Sequence, residues 1–450
     1  MTGDSTAFDF DALIHEDKVH RSLYTDPAIF DRELTRIFGG TWVYLAHESQ
    51  IPEPDSFFRT RLGLRPIIMV RDGDGVIRAL YNRCTHRGAT VCRAKQGKAT
   101  SFTCPYHGWT YMTNGKLIGV PWPEGYGHDQ RQEDKFNLAQ VPRVESYRGF
   151  IFGTLNMDAP ALADHLGPVR EPIDDWLDRN PGGKLVLSEA NRMRFKGNWK
   201  LAYDNSADGY HVVFSHRSLL MMENRFAGED PKGMSFYRQR PDSGPVRVYY
   251  FGNGHHFKDK RPTLADGPGA IWRIEGLHPG MEGYEAEIRE RYGARADALL
   301  DLAGSIPMNI NVFPNLLILG NHIQVLEPLS YNETATTWYG TAIVDDGDEL
   351  DGAADLINAL RMRTQEQFPL FGEVDDLTNF EEIQAGLGAE EDPWVYMDRG
   401  LGMPDRFTEK DGVISGPATD EVFMREYMKH YKALMVADPE LTISRGGHDR

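Results

Sequence analysis

Hydrophobic and polar positions follow a short-strand pattern from residue 41 to residue 157. The apolar stretches PIIMV and VIRALY flank the turn sequence DGDG at 72–75, a combination typical of a β-hairpin. An Asn-Gly pair at 114–115 separates a second pair of short strands, and YRGFIFGTLN at 147–156 predicts a closing strand. Residues 41–157 are therefore predicted to form an all-β module.

The segment before this module has apolar residues at helical spacing. Ile29, Leu34 and Phe38 recur at intervals that predict a helix within an N-terminal segment, residues 1–40. We expect this segment to pack on the domain that follows residue 157 rather than on the β-module.

Beyond residue 158 helical and strand-like patterns are mixed. Helical periodicity runs through EPIDDWLDR, EAEIRERYGARADALLDLA, AADLINALRMRTQEQF and EVFMREYMKHYKALM. Strand-like segments lie between them: VRVYYFGN, NVFPNLLIL, HIQVLEPL and TATTWYGTAIV. The mixture predicts an antiparallel sheet with helices packed on it, an α+β domain over residues 158–450.

Composition and charge narrow the functional classes. The chain has 450 residues, 40% of them hydrophobic and 26% charged, as in a globular protein of two or three domains. Its formal net charge of −18 disfavours nucleic acid as a partner, because an acidic surface repels phosphate.

Location follows from the N-terminus and the cysteines. The stretch MTGDSTAFDFDALIHED lacks a basic region and an apolar region, and no apolar run is long enough to span a membrane. Three cysteines do not make a disulfide framework, so a reducing compartment is expected. These features predict a cytoplasmic protein without membrane contact.

Two of the cysteines lie in metal-ligand spacing. NRCTHRGA holds Cys84 and His86, and after seventeen intervening residues CPYHGW holds Cys104 and His107. Each pair lies beside glycine or proline turn residues, so two hairpin loops can converge on one centre. A Rieske [2Fe–2S] cluster takes two thiolates on one iron and two imidazoles on the other, which this pairing supplies. Cys92 has no such pairing and is interpreted as an ordinary buried thiol.

Two alternatives to a cluster stay open at this point. A Cys₂His₂ zinc site uses the same ligand types, although zinc fingers place the two Cys first and then the two His. The second alternative is a chance grouping of buried Cys and polar His residues.

The two loops resemble the Rieske domain of aromatic-ring-hydroxylating oxygenases. Respiratory-type Rieske proteins have an additional disulfide-forming Cys in each loop and a Ser after the His-Gly pair, whereas this chain has Ala89, Tyr106 and Trp109 at these places. Hydrogen bonds to the cluster sulfurs raise the reduction potential, so the resemblance implies a cluster of low potential.

A second group of candidate ligands follows in NWKLAYDNSADGYHVVFSH. Two imidazoles and one carboxylate on one side of an iron form the facial triad of non-heme Fe(II) oxygenases. Asp208 and His211 are three residues apart and share a face if they lie on one helix, whereas His216 points elsewhere unless the helix bends or ends before it. Taken alone, the motif is equally typical of solvated surface histidines.

The same segment is similar to the family's NWK…DGYH…H motif, which implies roles for these residues. His211 and His216 would bind the mononuclear iron. Asp208 would not be a ligand, but would bridge to His107 of a neighbouring subunit by hydrogen bonds. The resemblance places the third ligand in LFGEVDDLTNFEEIQAGL, and we choose Asp376, with Asp375 and Glu373 as alternatives.

The resemblance covers nearly the whole chain and implies a helix-grip-like catalytic domain. The implied enzyme uses O₂, and electrons from NAD(P)H reach it through a reductase or a ferredoxin. The family forms trimers, often with three small β subunits (α₃β₃), so a β subunit or a homotrimer is expected. The substrate pocket would involve Asp204, Asn205, Val212, Asn309 and Leu319, each also an ordinary candidate for the core.

Three functions follow in order of preference. The first is the terminal oxygenase of an aromatic-ring dioxygenase, acting on a small aromatic compound such as a benzoate-, anthranilate- or salicylate-like acid. The second is a Rieske monooxygenase or demethylase without a small subunit. The third is a Rieske electron-transfer protein with an attached binding domain.

Overall fold

The structure is a computed structural model that describes residues 8–217, 246–264, 280–303, 308–344, 353–367 and 372–437. It divides into two compact units. The larger unit combines the chain up to Arg32 with Leu166–Ala437, and the smaller unit is Glu33–His165. The domain limits 1–40, 41–157 and 158–450 stay predictions.

The chain begins with short elements. These are helix α1 (Phe10–Leu13), strand β1 (Lys18–His20), and helices α2 (Ser22–Thr25) and α3 (Pro27–Arg36). Helix α3 confirms the helix predicted from Ile29, Leu34 and Phe38. The division between the two units falls within it.

The smaller unit contains ten short strands. They are β2 (Val43–His47), β3 (Ser56–Leu62), β4 (Arg65–Arg71), β5 (Ile77–Tyr81), β6 (Gln96–Lys98), β7 (Ser101–Thr103), β8 (Thr110–Met112), β9 (Leu117–Gly119), β10 (Arg143–Tyr147) and β11 (Phe150–Thr154). They form antiparallel sheets of order β10-β11-β2, β5-β4-β3-β6 and β7-β8-β9. The predicted all-β module is confirmed.

Both predicted hairpins are present. The first joins β4 to β5 through Asp72–Val76, where the Asp72 N–H donates to the Val76 carbonyl and Gly75 has a φ of +80°. The second joins β8 to β9, with Gly115 at a φ of +89°. Glycine adopts such angles at little cost because it has no Cβ.

The larger unit contains the remaining elements. They are α4 (Leu162–Leu166), which crosses the division, α5 (Arg170–Asp178), β12 (Leu185–Phe195), α6 (Trp199–Ala207), α7 (Val212–Ser215), β13 (Arg247–Tyr250), β14 (His256–Asp259), α8 (Glu282–Tyr292), α9 (Ala296–Leu300), β15 (Met308–Val312), β16 (Leu316–Leu319), β17 (His322–Ser330), β18 (Glu333–Ile343), α10 (Ala353–Gln367), α11 (Glu373–Gly386), β19 (Trp394–Tyr396), β20 (Thr408–Lys410), β21 (Val413–Pro417) and α12 (Val422–Val436).

One long sheet organises this unit. Nine antiparallel strands follow the order β12-β18-β17-β16-β15-β14-β13-β21-β20, and β1 pairs with β19 separately. Helix α6 packs on β15 and its neighbours, helix α11 packs on β12 and on α6, and α12 packs on β13. The α+β fold class is confirmed.

Two local predictions need correction. The segment NVFPNLLIL contains the end of β15 and all of β16, because the chain turns at Phe313-Pro314. The long helix over 285–303 is two helices, interrupted at Gly293 with a φ of +53°. Strands β12 and β14 had no periodic signal strong enough to predict them. The last residue of AADLINALRMRTQEQF, Phe368, lies outside the described residues.

No helix among the described residues is both long enough and apolar enough to cross a membrane.

Candidate metal centres

The first candidate centre lies on two loops of the smaller unit. Cys84 and His86 follow β5, and Cys104 and His107 lie between β7 and β8. Both thiols are buried with 1% exposure, whereas both imidazoles are partly exposed. The structure thus brings together the four residues that the motif predicted, with buried cysteines and partly exposed histidines.

The two loops have the same backbone design. In each, the N–H of the glycine four residues after the cysteine donates to the cysteine carbonyl: Gly88 to Cys84 at 2.9 Å and Gly108 to Cys104 at 3.0 Å. Both glycines have a positive φ, +76° and +73°. A Cβ at the second would lie 2.8 Å from Cγ of Pro121, so both conformation and space require glycine there. The turns hold each Cys and His in a fixed relative position.

Aromatic rings position the two imidazoles. The rings of His86 and His107 have centroids 4.6 Å apart. His86 stacks on buried Trp109 with an interplanar angle of 8°, and Tyr106 lies against His107 with centroids 3.7 Å apart. Trp109 and Tyr106, which replace residues of respiratory-type proteins, therefore form walls around the two rings.

The residues fit a binuclear cluster. The His86 Nδ1 atom is buried without a hydrogen-bond partner in the described part of the chain, as expected of a metal ligand. Two buried thiols and two adjacent imidazoles are the ligand set of a Rieske cluster, in which one iron takes the thiolates and the other the imidazoles.

Tyr111 is a contact that the sequence reading missed. Its hydroxyl lies 3.2 Å from the Cys84 sulfur and accepts a hydrogen bond from the Thr85 N–H at 3.3 Å. Burial is the largest cause that raises the pKa of Tyr111, so the phenol stays protonated and is able to donate to a thiolate. A sulfur hydrogen bond is therefore present even though the Ser of respiratory-type proteins is absent.

The second candidate centre is built around a break between two helices of the larger unit. Helix α6 ends at Ala207, and Asp208 is extended with φ −67° and ψ 126°. His211 and His216 are the residues directly before and after the four-residue helix α7. Asp208 and His211 therefore do not lie on one helix, and helix α7 ends at Ser215, before His216. One helical turn between the histidines is enough to aim both rings to the same place.

Asp376 completes a group of three candidate ligands. Its Oδ1 atom lies 3.4 Å from His216 Nε2 and 3.8 Å from His211 Nε2. The three ligand atoms all lie within 4.8 Å of one another. Asp376 is in the first turn of α11, more than 150 residues after His216 in the sequence.

The alternatives Asp375 and Glu373 occupy other positions. The Asp375 Oδ2 atom lies 3.6 Å from the outer ring nitrogen of His216, Nδ1. The carboxyl group of Glu373 is hydrogen-bonded to Gln324 at 3.0 Å and to Trp338. Geometry therefore favours Asp376 over both.

The electrostatics of this group fit a divalent cation. Burial, His211 and Lys258 lower the pKa of His216 to about 3, so its imidazole is neutral and has a lone pair for a metal. The Asp376 Oδ1 atom is buried without a hydrogen-bond partner among the described residues. Burial raises the pKa of Asp376 well above its usual range. A cation at this position would remove that penalty.

Asp208 orients His211. Its Oδ2 atom is 3.0 Å from His211 Nδ1, and its Oδ1 atom accepts from the Tyr210 N–H at 2.6 Å. Burial acts to raise the pKa of Asp208, but the hydrogen bond and charge of His211 lower it overall. A carboxylate that holds the far nitrogen of a ligand imidazole is a common arrangement around protein-bound metals.

Lys258 is a second residue that the sequence reading missed. It lies on β14, is 5% exposed, and its Nζ donates to the backbone carbonyl of Asp208 at 2.9 Å. Burial lowers the pKa of Lys258 to about 8, while the charges of Asp208 and Asp376 oppose this effect. The only available signal was a lysine within a short strand, HFKD, that was not itself predicted.

The predicted pocket residues fall into two groups. Asn205 is hydrogen-bonded to Asp376, and Val212 is in α7 beside His211. Asn309 and Leu319 are directly paired across β15 and β16. These four lie near the candidate triad or on the sheet that α6 covers, and their contact with substrate stays a prediction.

Asp204 has different surroundings. Its Oδ2 atom accepts from the Tyr24 hydroxyl at 3.2 Å, and its Oδ1 atom accepts from Tyr427. Burial raises the pKa of this carboxyl to about 7. Both oxygens are thus occupied within the fold, and these contacts give no support to the predicted role in substrate binding.

A cross-strand row of side chains runs away from the candidate triad. Lys258 pairs with Asn309, Asn309 with Leu319, Leu319 with His322, and His322 with Gly340. Directly paired residues of antiparallel strands project to the same face. The far end of the row borders a cavity of about 320 Å³, whose lining is Ser188, Glu189, Asn191, His322, Trp338, Gly340, Thr341, Ala342, Asn358 and Met362.

Both candidate centres lie in regions of the chain that match known protein families. Residues 41–142 match the Rieske [2Fe-2S] domain. Residues 183–437 match the catalytic domain of the ring hydroxylating alpha subunit. The two matches define the class of protein as a Rieske oxygenase.

Individual relatives agree with this class. The chain is 34% identical to the toluate 1,2-dioxygenase subunit alpha of Pseudomonas putida, over 84% of this chain and 82% of that protein. It is 32% identical to the 2-halobenzoate 1,2-dioxygenase large subunit of Burkholderia cepacia, over 88% and 83%. The crystal structure of naphthalene 1,2-dioxygenase from Rhodococcus sp. bound to indole superposes with a TM-score of 0.75 at 28% identity, over 94% of this chain and 95% of that one.

The chain belongs to the family of ring-hydroxylating dioxygenase alpha subunits. It is an oxidoreductase of a family that incorporates O₂, with a Rieske [2Fe–2S] cluster and a mononuclear iron. Electrons from NAD(P)H reach such subunits through ferredoxin and reductase partners. The third predicted function, an electron-transfer protein with a binding domain, is inconsistent with the match to a catalytic domain.

Proposed function

We propose that this chain is the terminal oxygenase component of a dioxygenase that dihydroxylates a benzoate-like aromatic acid. The observation that carries the proposal is the convergence of His211, His216 and Asp376 within 4.8 Å, in a chain that also contains the paired Cys and His loops. The sequence relatives that act on toluate and 2-halobenzoate support an aromatic acid as the substrate.

Each site residue has a proposed role. Cys84 and Cys104 bind one iron of the cluster as thiolates, and His86 and His107 bind the other as neutral imidazoles. His211, His216 and Asp376 hold the mononuclear iron, which when bound supplies the open positions needed to activate O₂. Because Glu373 and Asp375 have other contacts, we do not assign either as a ligand.

Asp208 is proposed as the connection between the two centres. Its Oδ2 atom holds His211 at 3.0 Å, and the side chain is 20% exposed. A carboxylate has lone pairs for a second imidazole N–H, which we assign to His107 of a neighbouring subunit. A trimer of the chain, with or without three β subunits, would supply that neighbour. We place this assembly in the cytoplasm.

Metal analysis and product identification test the proposal. The purified protein should contain about three irons and two acid-labile sulfides per chain, with a reduced [2Fe–2S] signal in electron paramagnetic resonance. Supplied with a reductase, it should consume O₂ in the presence of an aromatic acid and release a cis-dihydrodiol. One zinc per chain and no cluster signal would contradict the assignment.

The second predicted function differs in product and subunits. A monooxygenase or demethylase that functions without a small subunit would purify as an active single-chain oligomer and release a monohydroxylated or dealkylated product. Co-purification of a second subunit with the active enzyme, together with the mass of the product, separates the two.

A further inference from the structure

We propose that Lys258 binds the carboxylate of the aromatic substrate beside the mononuclear iron site, a role that rests on the proposed function. The residue would then decide the preference for anionic over neutral aromatic substrates.

The first observation is an ammonium group with unused donors. An ammonium has three N–H donors. Lys258 uses one of them, towards the Asp208 carbonyl at 2.9 Å, and it has no further hydrogen bond and no ion pair with a carboxylate among the described residues. A buried charge without such a partner is costly. An anionic ligand would supply the missing acceptors.

The second observation is the position of Lys258 relative to the candidate triad. Its ammonium contacts Asp208, whose side chain in turn holds His211 at 3.0 Å. On the sheet, Lys258 is paired with Asn309, and Asn309 donates to the Ser206 carbonyl of α6 at 2.9 Å. Lys258 therefore lies on the sheet face that α6 covers, the face that also presents the cross-strand row.

The third observation is the balance of charge. The proposed ligands His211 and His216 would be neutral, so the charges closest to a divalent ion would be those of Asp376 and, around His211, of Asp208 and Lys258. The two carboxylates balance the ion and leave the ammonium in excess. Asp375 is a further carboxylate nearby, but its side chain is 29% exposed and water screens it. One monoanion bound at Lys258 would balance the charge of the ammonium.

A structural role is the rival explanation. Asp208 follows the last residue of α6, and a cation at the C-terminal end of a helix is favourable by itself. In that case, loss of Lys258 would disturb the turn at Asp208 and weaken binding of every substrate alike. The two explanations differ in the ratio that they predict between the affinity for an aromatic acid and the affinity for the corresponding neutral amide.

The test compares benzoate with benzamide, a neutral ligand of nearly the same shape. Binding to the protein with both metal sites loaded is measured anaerobically by titration calorimetry, so no turnover is needed. The wild type should bind benzoate at least about 10-fold more tightly than benzamide. Lys258→Gln should lose roughly 10- to 100-fold in benzoate affinity, while its benzamide affinity stays within about 3-fold.

Three further variants serve as controls. Lys258→Arg keeps the charge and should keep most of the benzoate preference. Lys258→Met removes both charge and donors, and replaces Lys258→Gln if that variant fails to fold or to retain iron. Lys410→Met removes an exposed lysine from β20 of the same sheet and should bind both ligands as the wild type does.

Equal affinity of the wild type for benzoate and benzamide would overturn the proposal, as would an equal loss of both in Lys258→Gln. No binding by the wild type of benzoate, 3-methylbenzoate or 2-chlorobenzoate would also overturn it. The proposed oxygenase function is tested separately, by O₂ uptake. Absence of O₂ uptake with both aromatic acids and neutral aromatic compounds would contradict that function.

Discussion

The two metal centres are built in opposite ways. The four proposed cluster ligands lie within 24 residues of sequence, from Cys84 to His107, on two loops that each contain a glycine turn. Only the second loop connects two paired strands, β7 and β8, so the prediction that both loops are hairpin loops is wrong for the first. Two proposed ligands of the mononuclear site follow the break after α6, and the third lies on α11, which begins at Glu373. The first site depends on local turns, whereas the second depends on how two distant helices pack against one another.

This difference has consequences for what each site tolerates. A loop of this kind holds its side chains even when distant parts of the chain change, provided that the turn residues keep their conformation. The second site needs buried polar contacts to hold its geometry, namely Asp208 to His211 and Asn205 to Asp376. We therefore expect substitutions at one centre to leave the other intact.

The largest effect is expected at the ligands of the mononuclear site. His211→Ala or His216→Ala should lose the mononuclear iron and all measurable oxygenation, because only two of three ligands remain. The Rieske absorption spectrum should be unchanged. Iron quantification together with the visible spectrum checks this prediction.

Neighbouring acids provide a matched pair for that experiment. Asp376→Asn should lose the iron, whereas Asp375→Asn should retain it, since the Asp375 carboxylate lies 3.6 Å from the outer nitrogen of His216, Nδ1. If either histidine variant bleached the Rieske absorption and kept the second iron, the two centres would have been assigned the wrong way round.

The next effect in size concerns electron transfer through Asp208. In Asp208→Asn the remaining carbonyl oxygen is able to keep the Tyr210 N–H bond, but the amide cannot accept from two imidazoles. Both metal centres and substrate binding should persist, while reoxidation of the reduced cluster slows by orders of magnitude. Stopped-flow measurement with substrate and O₂ gives the rate, and a wild-type rate would show that the connection does not run through Asp208.

A smaller effect is expected in the cluster loops. Gly108→Ala introduces a Cβ 2.8 Å from Pro121 at a φ of +73°, a conformation that costs about 1 kcal/mol or more in an L-residue. Cluster content should fall severalfold while the mononuclear iron stays. Gly125→Ala, where a Cβ meets nothing within 4 Å, is the control. Sulfide and iron analysis of both variants measures the cluster content. Equal cluster content in Gly108→Ala and Gly125→Ala would contradict the prediction.

The smallest effect is expected on the reduction potential of the cluster. Tyr111→Phe removes the hydroxyl that lies 3.2 Å from the Cys84 sulfur. Loss of one such hydrogen bond should lower the reduction potential by on the order of 50 mV and leave cluster content unchanged. Redox titration followed by circular dichroism measures the shift. An unchanged potential would mean that the hydroxyl hydrogen bond goes to Thr85 instead.

The sequence by itself determined the features that depend on near neighbours. The hairpins around Gly75 and Gly115 and the helix containing Ile29 follow from local periodicity and turn residues. The loops of Cys84 and Cys104 were readable because ligands and turn glycines lie within a few residues of each other. The resemblance of both motifs to a known family also predicted His211 and His216 as ligands of the second site.

The tertiary structure decided the features that depend on distant contacts. Asp375 and Asp376 are adjacent in sequence, and only the packing of α11 beside α6 directs one of them to both histidines. Asp204 accepts hydrogen bonds from Tyr24 and Tyr427, partners that are far from it in sequence. Lys258 carried no motif, because a buried cation becomes informative only when its neighbours are known. Contacts between distant residues arise from packing, and no local pattern encodes them.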